Sequence, residues 1–176
     1  MILNPPDSTL VLIAGLLASQ LGLPVTPQGR VFLYNQKWNI PPDDGLFVVV
    51  NFTGEKIFGS DLSYENDPVS GNLNETKTVN ARETYTINLF SRNAEAITRK
   101  HEVIFALHST AAQQVAEKYS LQFVPVPAFV NDTSKLEASA ELNRTSLTVQ
   151  VLRAYSQTNV SQFYNSFSNA ALLTNP

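Results

Sequence analysis

A chain of 176 residues with 43% hydrophobic and 10% aromatic content is long enough to bury one core and too apolar for general disorder. Its formal charge of -3 and pI near 5.3 exclude a duplex nucleic-acid binder, which needs a basic stripe to neutralise phosphates. The absence of cysteine excludes a disulfide framework and a thiolate zinc site, and points to synthesis in the cytoplasm.

Pro5, Pro6, Asp7 and Ser8 form a helix start with Ser8 or Asp7 as N-cap, and the helix should run to about Leu21, where Gly22 and Pro24 stop it. Its core, Leu10 to Ala18, is too short for a roughly 30 Å hydrocarbon layer. No Lys or Arg precedes it and Asp7 lies beside it, so it lacks the basic flank of a secretory signal, and no membrane is expected. Apolar residues occupy nearly every side of this helix. It is therefore either deep in the fold or shared with a neighbouring subunit through Leu10, Ile13 and Leu17. On the second reading, a charge at Ile13 or Leu17 would dissolve oligomers.

Arg30 to Gln36 reads as a first strand and Gly45 to Phe52, rich in β-branched residues, as a second; the cluster Pro41 to Gly45 turns between them. Trp38, the only tryptophan, lies in that connection and reads as a local plug. From Gly59 to Lys77 the chain becomes polar and acidic. Asp61, Glu65 and Asp67 mark a long loop, which could be a partner-contact arm or solvated slack, and the arm is favoured.

Thr78 to Arg92 then alternates, with Val79, Ala81, Tyr85, Ile87 and Leu89 on one side, interrupted by Glu83, and Asn80, Arg82, Thr84, Thr86 and Asn88 on the other. Asn93 caps a helix expected from Ala94 to Lys118, with Ile97, Ile104, Leu107, Ala111 and Val115 as its buried stripe. Leu121 to Val130 contains two prolines, which cannot donate to a ladder, so it belongs on a sheet edge or beside a bulge. Ser146 to Tyr155 alternates with Leu147, Val149 and Val151 inward, and residues 157–176 read as a loosely held tail with a short helix around Val160 to Phe167. The predicted fold is α+β: an antiparallel sheet packed by a long helix and an N-terminal helix, in one domain over residues 1–156.

Chemical motifs are scarce. His101-Glu102 opens a zinc-protease-like motif on a helix, but Phe105 stands where the second histidine ligand is needed. His108 is two helical turns from His101, too far to chelate with it. Nucleophile-elbow, dinucleotide and phosphate-loop glycine patterns are missing, and the spacing of Asp61, Glu65 and Asp67 does not fit an EF-hand. The expectation is no enzyme, no metal and no cofactor, with a small hydrolase as a distant alternative.

With these elements in order, the chain resembles bacteriophage neck and tail terminator proteins. The resemblance rests on VNARETYTINLFSRNAEA leading into ITRKHEVIFAL, and on FVPVPAFVNDTS followed by ELNRTSLTVQVL, within Val79 to Tyr155. It implies a virion protein, assembled in the host cytoplasm, that forms a ring, commonly a hexamer, at the head-proximal end of a tail. Such a ring ends the tail tube, meets a head connector or adaptor, and lets DNA pass through its lumen without specific binding. Its partners would be copies of itself, the tube protein and the connector. Another neck adaptor, or a tube-like subunit, is the alternative within the same neighbourhood.

Overall fold

A computed structural model describes residues 8–24, 29–34, 43–67, 69, 71–124, 129–132, 135–137 and 140–161. The fold is α+β. Three long strands dominate it: β2 (Phe47–Asn66), β3 (Leu73–Ser91) and β7 (Ala140–Ser161). Around them lie α1 (Thr9–Gln20), β1 (Val31–Leu33), the short helices α2 (Glu95–Thr98), α3 (Lys100–Leu107) and α4 (Thr110–Lys118), and the strands β4 (Leu121–Phe123), β5 (Phe129–Asp132) and β6 (Lys135–Glu137). The sheet order is β1-β2-β3-β7-β4, with β5 and β6 also on β7.

The β3 alternation holds: Ala81, Tyr85, Ile87 and Leu89 are buried and Val79 is half-buried. Opposite them on the same face stand Val48 and Val50 of β2 and Leu147, Val149 and Val151 of β7. Helices cover this face with Ile13, Leu16 and Leu17 of α1 and Val103, Ala106 and Leu107 of α3. Each fully buried Val, Leu or Ile among them contributes about 1.5–3 kcal/mol of hydrophobic burial.

Several expectations are corrected. The sheet is mixed rather than antiparallel throughout, because β1 runs parallel to β2, pairing Val31 with Val48; β1 is also shorter than Arg30 to Gln36. The connection from 35 to 42, Trp38 included, lies outside the described residues. The long helix from 94 to 118 is three helices. It breaks at Arg99, whose backbone leaves the helical region at φ -91, ψ 4, and at Ser109, an extended N-cap whose hydroxyl accepts from the Ala112 N–H at 3.2 Å. Asn93 does act at the start of α2, its Oδ1 accepting from the Glu95 N–H at 2.9 Å.

Breaking the helix shifts its buried stripe, so that Ala96, Val103, Ala106, Leu107 and Ala112 face inward while Ile97, Ile104, Ala111 and Val115 are half-buried. The break also frees the Arg99 guanidinium, which donates to the Leu21 carbonyl at 3.1 Å and to Glu102 at 2.7 Å. A cation thereby sits at the C-terminal end of α1, where the helix dipole favours it. Gly22, at φ +65, makes the left-handed turn that ends this helix.

The proline-bearing segment 121–130 is indeed marginal to the sheet. It forms β4 and β5, each laid on the outer edge of β7, with 125–128 outside the described residues. The tail expected from 157 is corrected too: β7 continues to Ser161, so Val160 is in a strand, and the helix expected to follow lies outside the described residues from 162 onward.

Candidate interaction surface

The largest correction concerns the acidic loop. Residues 59–77 are almost entirely strand: β2 continues to Asn66, β3 begins at Leu73, and the two pair from Gly59↔Asn80 to Asn66↔Leu73. Only 67–72 turns. Asp67 organises that turn, its Oδ1 accepting from the Val69 N–H at 2.9 Å and its carbonyl from the Gly71 N–H at 2.8 Å. Gly71 takes φ +69 there, a conformation that disfavours any side chain. Asp61 and Glu65 are exposed strand residues and not loop ligands.

β7 completes the hairpin on its other side, from Val79↔Tyr155 to Leu73↔Ser161. The result is a three-stranded arm made of the distal halves of β2, β3 and β7. Beyond Phe52 the β2 residues are exposed or half-buried to the end of the strand. Fourteen residues, 53–66, span about 45 Å at strand rise.

Pairing fixes the two faces of the arm. One continues the helix-covered core face and carries Phe52, Ile57, Leu62 and Tyr64 at 46%, 63%, 46% and 56% exposure. On β2 this row, interrupted by Glu55 and Ser60, runs on from the core strand residues Val48 and Val50 to exposed apolar side chains. The opposite face is hydroxyl-rich: Thr76 and Thr158, and Thr78 and Ser156, form cross-strand hydrogen bonds of 2.9 Å. Along residues 53–78 five carboxylates stand against two lysines.

At the base of the arm the glutamate that interrupts the β3 pattern is buried and bonded. Glu83, 5% exposed, accepts from the Tyr85 hydroxyl at 2.8 Å and from the Tyr155 hydroxyl. Arg153, 4% exposed, donates to Thr9 Oγ1 of α1 at 2.6 Å and lies over the Tyr155 ring. Burial raises the Tyr85 hydroxyl above the ordinary phenol range against an opposing contact with Thr9. Burial, reinforced by Glu83, pushes Tyr155 up to about 12. A cleft of about 480 Å³ opens beside this network between Thr9, Phe52 and Tyr155. A carboxylate, a guanidinium and two phenols thereby join β3 and β7 to α1 at the base of the arm, and removing one member would strand another.

The expected contact residues therefore divide. Ile13 and Leu17 are both 0% exposed and belong to the monomer core, so they do not face a neighbour; Leu10 is half-buried at its margin. The helix reads as apolar all round because both its core side and the flank toward α3 and α4 are packed, leaving Val11, Gly15, Ser19 and Gln20 exposed. Asp61 and Glu65 are on the arm and Asp67 is at its tip. The sequence reading missed Phe52, Ile57, Leu62 and Tyr64. The available signal was their spacing, which two bulges, at Phe52/Gly54 and Ile57/Gly59, throw out of step.

His101 and His108 are exposed, and no cluster of three potential metal ligands occurs among the described residues. No helix among them is long and apolar enough to cross a membrane. The chain matches no protein-family model, and no curated protein matches it.

Proposed function

We propose that this chain is a ring-forming structural subunit of a bacteriophage neck, a tail terminator that ends the tail tube and joins it to the head connector. The observation that carries the reading is the arm: on its core-side face, which also bears Glu55, Glu75, Lys77 and Gln157, β2 exposes the large apolar side chains Phe52, Ile57, Leu62 and Tyr64 past the last covering helix. A monomer gains nothing by leaving such side chains in water, which favours a chain completed by further copies of itself, as round a ring. Hydrogen bonds of Glu83, Tyr155 and Arg153 tie the base of the arm to its own core, which suits a subunit that repeats at one angle. The surplus of carboxylates on the arm keeps a lumen from gripping DNA.

In this reading the partners are copies of the chain, probed first by mass, then the tube protein and the connector at the two faces of the ring, and its place is the virion. The test is the native mass of purified protein together with class-averaged electron images. Closed rings of one size support it, stacked tubes transfer the chain to the tube-like subunits, and a monomer at high concentration overturns it.

A further inference from the structure

Among the described residues the arm has two backbone edges with no strand beside them, and they differ. Among the described residues no strand lies on the outer edge of β2 beyond Val50, where β1 ends, or on the outer edge of β7 beyond Arg153, where β4 ends. The β2 edge carries the usual guards against indiscriminate pairing: charges of both signs at Glu55, Lys56, Asp61 and Glu65, glycines at 54 and 59, and two bulges. The β7 edge, Ala154 to Ser161, has none of them. It contains no charge, proline or glycine, and its register with β3 runs unbroken from Asn143 to Ser161. About half of its eight backbone positions turn their N–H and C=O outward, away from β3.

We propose that the ring closes through main-chain pairing of the β7 edge of one copy, residues 154–161, with the β2 edge of the next. This rests on the ring-subunit reading above and names the seam it uses. Three considerations select the second copy's β2 as the occupant. The uncharged β7 edge can lie beside Glu55, Lys56, Asp61 and Glu65 in any register without setting like charges opposite one another, which a two-fold β2–β2 seam achieves only in particular registers. A two-fold β7–β7 seam leaves every β2 edge bare and stops at a dimer. A β7–β2 seam consumes both edges of every copy, which is the head-to-tail contact that a closed ring requires.

The strand directions follow. β2 and β7 are each antiparallel to β3 and so parallel to each other. Rotation about a ring axis preserves the component of strand direction along that axis, so strands that run along it meet in parallel at every seam. A two-fold seam would be antiparallel, and the two can be told apart.

The cysteine-free chain suits disulfide mapping. Leu62, Lys77 and Gln157 share one level and one face of the arm, and Ser60, Leu62, Gln157 and Tyr64 are exposed. Gln157→Cys is combined in turn with Ser60→Cys, Leu62→Cys and Tyr64→Cys, since strand tilt round a ring offsets the seam by a few residues. Neighbouring strands bring Cα atoms within disulfide reach. At least one combination is expected to give, on oxidation, a ladder of covalent multiples that stops at the ring's copy number, while each single-cysteine variant stays uncrosslinked. A dimer from Gln157→Cys alone overturns the seam in favour of two-fold pairing. Rings of the native mass with no ladder from any combination overturn the seam while leaving the ring standing. A protein that stays monomeric overturns both.

Discussion

Ile13→Ala separates a core role for α1 from a subunit-facing one. Ile13 is 0% exposed and packs in the cluster that joins Leu16 and Leu17 of α1 to Val48, Ile87 and Leu147 of the sheet. Removing its outer carbons there forfeits their transfer energy and leaves a void that rigid strand neighbours cannot close, a cost of about 3 kcal/mol within the usual span for such truncations. With an unfolding entropy of about 2.1 cal/mol/K per residue, the 176 residues make that loss a fall in Tm of about 8 °C. Thermal unfolding followed by circular dichroism, at a concentration where the wild type and the variant have the same native mass, measures it. A Tm within about 2 °C of wild type together with loss of the assembled mass would refute the argument, because it would mean that Ile13 stabilises contacts between copies and not the fold.

The converse holds for the arm. Ile57→Ser with Leu62→Ser should shift the monomer's unfolding free energy by about 0.5 kcal/mol or less per site, yet weaken assembly about tenfold or more in concentration-dependent sedimentation. A variant that unfolds would show those side chains to be core. Ser109→Ala removes the cap that starts α4 and should cost about 1 kcal/mol, read as a Tm lower by a few degrees; no change would mean that the extended backbone alone makes the break. The Tyr85 and Tyr155 hydroxyls are raised above the ordinary phenol value of about 10, Tyr155 to about 12. In the unfolded chain they ionise near pH 10 while the folded chain keeps them neutral, so their contribution to stability is intact below pH 10 and falls as pH rises toward 12. Denaturant titrations from pH 9 to 11.5 should show that decline, and it should be smaller in Tyr155→Phe. An identical decline in the variant would remove Tyr155 from the linkage.

The alternation of β3 and β7 was legible residue by residue, because one face of each strand meets the core and the other does not: Tyr85, Ile87, Leu89, Leu147, Val149 and Val151 are all buried as their period requires. The α+β class followed from those strands and the helical rhythm after Asn93. The arm was not legible. Strands wet on both faces need no two-residue period, and what makes 53–66 a strand is the hydrogen bonding of β3, itself held from the far side by β7, some 80 residues along the chain. Glu83 looked like a flaw in its strand for the same reason, since the two hydroxyls that satisfy it include one from Tyr155. Composition could show that α1 is apolar on every side, but only packing against α3, α4 and the sheet decided that Ile13 and Leu17 lie inside the subunit. Local sequence determines which segments can be buried; which of them find cover within one chain is settled by contacts between residues far apart in sequence, and here those contacts cover the helix and leave the arm bare.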